Sequence, residues 1–118
     1  MNEKSKQLAE RLLTFTVNTF KFIKTLPYKK EYDVFKYQLS KSASSIGANY
    51  EEAQACSKKE FYQRINICLR EARETNYWLR ALERLDLGDK IQRSELIQES
   101  QELKLIFGSI HSKKIAKS

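Results

Sequence analysis

Punctuation is nearly absent from this chain: 118 residues hold one proline and three glycines. Those two residues are the usual terminators of helices and strands, so their scarcity favours a few long elements over many short ones. The breaks that exist fall at wide intervals, with Pro27 after Leu26 and Gly88 after Leu87. A third lies at Ala55-Cys56-Ser57-Lys58, where Ser57 and Glu60 have the spacing of a capping box. The sequence therefore predicts four helices, about 4–26, 31–55, 58–85 and 90–112, joined by short turns, the first of them Tyr28-Lys29-Lys30. At 1.5 Å rise per residue they are roughly 34 to 42 Å long, similar enough to lie side by side.

Periodicity supports helix in every segment. Phe61, Ile65, Cys68, Ala72, Thr75, Leu79 and Leu82 recur at alternating spacings of 4 and 3, the pattern of a seam packed nearly parallel to its neighbours. The second segment offers Phe35, Leu39, Ala43, Ile46, Tyr50 and Ala53, and the fourth Leu96, Leu103, Ile106, Phe107 and Ile110. The first carries Leu8, Leu12, Phe15, Phe22 and Leu26 on one line, with Leu13, Val17 and Phe20 beside it. That apolar face is wider than a two-helix seam requires. Short connections make neighbours antiparallel, so the expected fold is all-α, an antiparallel up-down-up-down four-helix bundle occupying 1–118 as a single domain. The stretch His111–Ser118 reads as a frayed end, with 113–118 a basic tail. Ser40–Ala48 is mostly small, and Gly47 inside a helix costs about 1 kcal/mol relative to alanine. Close approach of another helix over Ala43, Ser44 and Gly47 explains that choice; a kink or a partner's groove is the alternative.

Little reactive chemistry is available. The one histidine, His111, sits near the end of the chain, so a catalytic scheme built on an imidazole base lacks its base. Cys56 and Cys68 are twelve residues apart without further ligands for zinc, and they read as a loop thiol and a core residue. Glu51-Glu52 and Glu71-Glu74 sit on the central helices, but a di-metal bundle site needs Glu-x-x-His pairs, which do not occur; Glu52 and Glu74 read instead as ion-pair partners of Arg70, Arg73 or Arg80. No glycine-rich phosphate loop is present. The expectation is a protein that is not an enzyme, with no catalytic residues, metal or cofactor. No apolar run approaches the ~20 residues of a membrane span, and the polar start, Met1 to Arg11, lacks the apolar core of a secretory signal, so the expected address is the cytoplasm, without a membrane role.

What remains is charge. Twenty-two Lys and Arg oppose fifteen Asp and Glu, a net +7. The surplus is three charges over residues 1–27, none over 28–56, two over 57–87 and two over 88–118, so it is spread rather than confined to a tail. In the third segment Arg70, Arg73, Tyr77, Arg80 and Arg84 follow helical spacing and form one surface line, with Trp78 adjacent. Guanidinium groups beside aromatic rings suit phosphate neutralisation and base stacking. A solvated face laced with ion pairs, which Glu74 and Glu83 would supply, and a surface for an acidic protein are the other readings.

Two strings, Ser45-Ile-Gly-Ala-Asn-Tyr-Glu-Glu-Ala-Gln-Ala55 and Leu69-Arg-Glu-Ala-Arg-Glu-Thr-Asn-Tyr-Trp-Leu-Arg-Ala-Leu-Glu-Arg-Leu85, with the spacing between them, resemble the bacterial four-helix-bundle proteins first noted as products of intervening sequences in 23S ribosomal RNA genes. The resemblance is good over about 37–87 and weak in the outer helices. Ser45, Ile46, Asn49 and Glu52 keep the family's commoner helix 2 motif, while Gly47, Ala48, Tyr50, Glu51 and Ala53 depart from it as in a variant branch. The resemblance implies a subunit of a ring-like homopentamer, as in the related accessory proteins of diversity-generating retroelements, which bind nucleic acid and a reverse transcriptase through basic surfaces. The expected function is therefore a basic, oligomeric bundle that binds RNA or structured nucleic acid through Arg70, Arg73, Tyr77, Arg80 and Arg84, with Trp78 beside them. A protein-interaction scaffold is the alternative.

Overall fold

A computed structural model describes residues 1–117, with α1 at Glu3–Ile23, α2 at Asp33–Ala53, α3 at Lys58–Arg84 and α4 at Lys90–Lys117. No strand occurs among these residues. Three of the four helices begin where a side chain satisfies one of the first free amides. The Asn2 carboxamide accepts from the Ser5 N–H at 2.8 Å, the Ser57 hydroxyl from the Glu60 N–H at 3.4 Å, and the Asp89 carboxylate from the Gln92 N–H at 2.8 Å. A short 3-10 turn, Lys30–Tyr32, leads into α2, so that helix starts two residues later than the hydrophobic pattern predicts.

The expected basic tail over 113–118 is corrected: α4 does not fray at 112 but continues to Lys117, which leaves only Ser118 outside the described residues. Nothing between Ser109 and Lys117 is a glycine or proline, so no residue there stops the helix. The α3–α4 turn is also sharper than one glycine suggests. Asp86 takes the left-handed position, φ 53°, after α3, and the Leu87 N–H reaches back to the Leu82 carbonyl at 3.0 Å. Gly88 follows at φ 80°, and a Cβ there would sit 2.7 Å from the Phe22 ring. Arg93, nearly fully buried, donates to the Leu87 carbonyl at 2.9 Å and to Asp86 at 3.3 Å, and the Asp89 N–H donates to the Thr25 hydroxyl at 2.8 Å. This end of the molecule is therefore tied together across both turns.

The core follows the predicted stripes. Leu12, Phe15, Phe22, Leu39, Ile46, Ile65, Leu79, Leu82, Leu103 and Phe107 are essentially inaccessible. Leu13, Val17 and Phe20, beside the core line of α1, stay 55%, 45% and 44% exposed. Partners along α2 and α3 run in opposite numerical order: Ser42 with Thr75, the Ile46 carbonyl with Cys68, Asn49 with Arg64. α1 packs on α2 directly over Gly47, whose added Cβ would lie 3.4 Å from that of Leu12, in keeping with the close-approach reading of the small stretch. The α1–α4 seam is much looser than the α2–α3 and α3–α4 seams.

Candidate nucleic-acid interface

Because α3 turns its apolar seam inward, residues one or two positions off that seam are carried to the outside. Arg70, Arg73, Tyr77, Arg80 and Arg84 are all exposed on that outer face. From Arg70 to Arg84 the line rises through fourteen residue steps, about 21 Å of helix. Among the described residues no carboxylate lies within salt-bridge distance of any of its four arginines; the ion pairs present join Arg11 to Glu99 and Glu102, and Arg93 to Asp86. The expected pairing of Glu52 and Glu74 with Arg70, Arg73 or Arg80 is thus corrected. Glu74 instead accepts from the Trp78 indole N–H at 3.2 Å. Helical spacing brings Glu74 equally close to residues 70 and 78, and the indole occupies it.

The five positions are not equivalent. Arg80 is braced: its Nε–H donates to the Asn76 carboxamide oxygen at 2.8 Å, and the Asn76 amide donates to the Ser100 hydroxyl on α4 at 2.9 Å. Arg70, Arg73 and Arg84 have no such brace among the described residues and extend into solvent. Tyr77 is 56% exposed, whereas Trp78 turns toward α2 and is half-buried, edge-on to Phe35 with ring centroids 5.6 Å apart and an interplanar angle of 88°. The indole therefore belongs to the α2–α3 packing, and Tyr77 is the aromatic left on the arginine line.

Local electrostatics favour anions here only in part. Burial raises the pKa of Glu71 above the usual carboxylate range, and the Glu74 charge adds to that, while Lys41 and Arg70 act in the opposite direction. Burial pushes the Cys68 thiol up to about 12, so it is an inert part of the core. Cys56 is half-exposed and bonded to the Glu52 carbonyl. No group of three or more His, Cys, Asp or Glu side chains converges among the described residues, and no helix is long and apolar enough to cross a membrane.

Several contacts were out of reach of sequence reasoning. Arg11 forms a two-pronged bond to Glu99, Nε to Oε2 at 2.7 Å and Nη2 to Oε1 at 2.6 Å, across 88 positions of sequence. That bond, ahead of the opposing effect of burial, raises the arginine's pKa further. Lys36 sits 4.8 Å above the Tyr28 ring. Asn49, one of the helix 2 motif residues, donates to the Ser45 carbonyl and accepts from Arg64 on α3 at 2.9 Å. The motif thus fastens α2 to α3; its own spacing gives no sign of the partner.

A family model for the 23S rRNA-intervening sequence protein matches residues 4–109. The chain belongs to the 23S rRNA-intervening sequence protein family. The match reaches well beyond 37–87, into α1 and most of α4, where the sequence resemblance was weak. A crystal structure from Bacteroides thetaiotaomicron VPI-5482, of a protein with unknown function from the S23 ribosomal protein family, is 32% identical; the alignment covers 92% of this chain and 98% of that one, with a TM-score of 0.81. No curated protein sequence matches this one. The 23S rRNA-intervening sequence protein family accordingly accounts for the four helices and leaves the chemistry of the α3 face to be argued from its residues.

Proposed function

We propose that this protein is a non-enzymatic subunit of a cytoplasmic homo-oligomer, a pentameric ring of up-down-up-down bundles, that binds RNA or structured nucleic acid through the outer face of α3. The observation that carries this reading is the arginine line itself: Arg70, Arg73 and Arg84 are exposed and without carboxylate partners among the described residues. A solvated face laced with ion pairs would neutralise them; this one does not. Arg80, held by Asn76, supplies a fixed cation, and the exposed Tyr77 ring, edge-on to Trp78 with centroids 5.2 Å apart, supplies a face for stacking. In a ring, copies of the same line add their fields.

Leu13, Val17 and Phe20 favour the oligomer. Three large apolar side chains in a row, each nearly half exposed or more, leave apolar area in water that a second subunit would bury. Light scattering of the wild-type protein and of Val17→Glu tests this, with a pentamer mass expected for the first and a monomer mass for the second.

Filter binding with a labelled RNA hairpin and its DNA counterpart tests the α3 face. Four phosphate contacts per subunit predict a log–log salt slope of about −3 to −4 for each subunit engaged. Charge reversal at Arg73 and Arg84 together is expected to abolish binding at physiological salt. Lack of affinity for either probe at low salt sinks the reading. The second reading, a protein-interaction scaffold, is favoured by the same exposed apolar row, and recovery of one stoichiometric, nuclease-resistant partner would select it.

A further inference from the structure

We infer that the groove between α1 and α4, on a different face from the arginine line, is a docking surface for an acidic amphipathic helix of a partner protein. Two cavities, about 760 and 710 Å³, open along this seam, and Gln7 and Arg11 line both, so they form one continuous trough. Small residues keep it open. Ser5 on α1 and Ser109 on α4 face it. Nothing in the described chain fills the space that larger side chains would occupy.

The two halves differ in chemistry. The half nearer the α3–α4 turn is polar and carries Glu10, Glu95 and Glu99. The half nearer the start of α1 has an apolar floor of Leu8, Phe61, Ile106 and Ile110, and none of its lining residues is acidic. Leu105 stands at its edge with 74% of its surface in water. Arg11 is already satisfied by Glu99 and Glu102, whereas Lys4 and Lys113 flank the floor without a carboxylate in salt-bridge range among the described residues.

An apolar floor between two uncompensated cations calls for an apolar ridge flanked by carboxylates. From Leu105 to Lys113 is a rise of eight residue steps, about 12 Å, which matches the reach of anchors at i, i+3 or i+4, and i+7 on a helix laid in the trough. A nucleic acid fits less well: it would leave the aliphatic floor uncovered, and the Phe61 ring in that floor is half-buried. The surface is also too open to enclose a small molecule on most sides.

The test uses a fluorescein-labelled 16-residue designed helix with leucine at every third or fourth position and glutamate on both flanks, titrated with the full-length protein and read by fluorescence polarisation. The same peptide with lysine in place of glutamate is the control. The acidic peptide is expected to bind at least tenfold more tightly than the control. Leu105→Glu should weaken it tenfold or more and Lys113→Glu severalfold, both with unchanged thermal melts because these positions are exposed. Reversal of Arg73 and Arg84 should leave peptide binding intact, which separates this proposal from the nucleic-acid reading. Equal binding of the two peptides, or indifference to Leu105→Glu, overturns it. So does a fall in oligomer mass caused by Leu105→Glu alone, which would assign the trough to a second copy, or loss of RNA binding in that variant, which would assign it to nucleic acid.

Discussion

Along the α2–α3 seam, small side chains let two helices come close; along the α1–α4 seam, small side chains leave a gap. Ser42, Ala43, Cys68, Ala72 and Thr75 are fully covered because large neighbours such as Leu39, Ile46, Ile65 and Leu79 close over them. A buried polar layer then fixes the register, with the Thr75 hydroxyl donating to that of Ser42 at 2.9 Å and Asn76 reaching Ser100 on α4. Ser5 and Ser109 have no such cover, and what spans their seam is the half-exposed Arg11 bridge to Glu99 and Glu102. Small residues permit close approach but do not cause it; the apolar area around them does.

The largest expected effect tests that contrast directly. Ile46→Ala, on the closed seam, should cost about 3 kcal/mol, while Leu8→Ala, half-buried at the open one, should cost less than about 1 kcal/mol in urea unfolding. Equal costs would break the comparison. Next, Thr75→Val leaves the Ser42 hydroxyl buried without its partner and should cost about 1–2 kcal/mol. Adding Ser42→Ala should recover part of that loss, a coupling that a double-mutant cycle reads. Smaller again, Arg11→Met should cost about 0.5–1 kcal/mol at low ionic strength, and the difference should fade as salt is raised. Hydrogen exchange in α1 should quicken in the same variant while α3 stays protected.

Glu71 provides the smallest and most specific test of how dry the closed seam is. Burial raises its pKa in the folded state, so the folded protein holds this proton to higher pH than the unfolded chain does. The penalty for its charge sets in as pH rises from the unfolded value through the folded one, and it is fully present at neutral pH. Glu71→Gln should therefore raise the urea midpoint near neutral pH, and the gain should vanish in acid, where the carboxyl is protonated in both states. An unchanged midpoint at both pH values would mean that water and Lys41 already compensate the charge.

Much of the fold was legible. Every member of the α3 seam is buried except Phe61, which is half-buried, because a 3.6-residue period translates directly into one face of a helix. Gly47 announced a close neighbour, and Leu12 is that neighbour. The exposure of Arg70, Arg73, Tyr77, Arg80 and Arg84 follows from the same period. The end of α4 was misread because one histidine and a run of lysines resemble a tail in composition while offering nothing that breaks a helix. Trp78 could not be oriented, since an indole beside an arginine line can as readily pack on Phe35 across the seam as stand free.

The amino-acid sequence alone determined the four helices, their inward faces and the surplus of positive charge, for these depend on local periodicity, capping and counting. Only the tertiary structure decided which arginines go without a carboxylate, and that one seam closes while another remains a trough. Those outcomes depend on residues far apart in the chain, such as Arg11 and Glu99, and on whether enough apolar bulk meets at a seam to draw its backbones together.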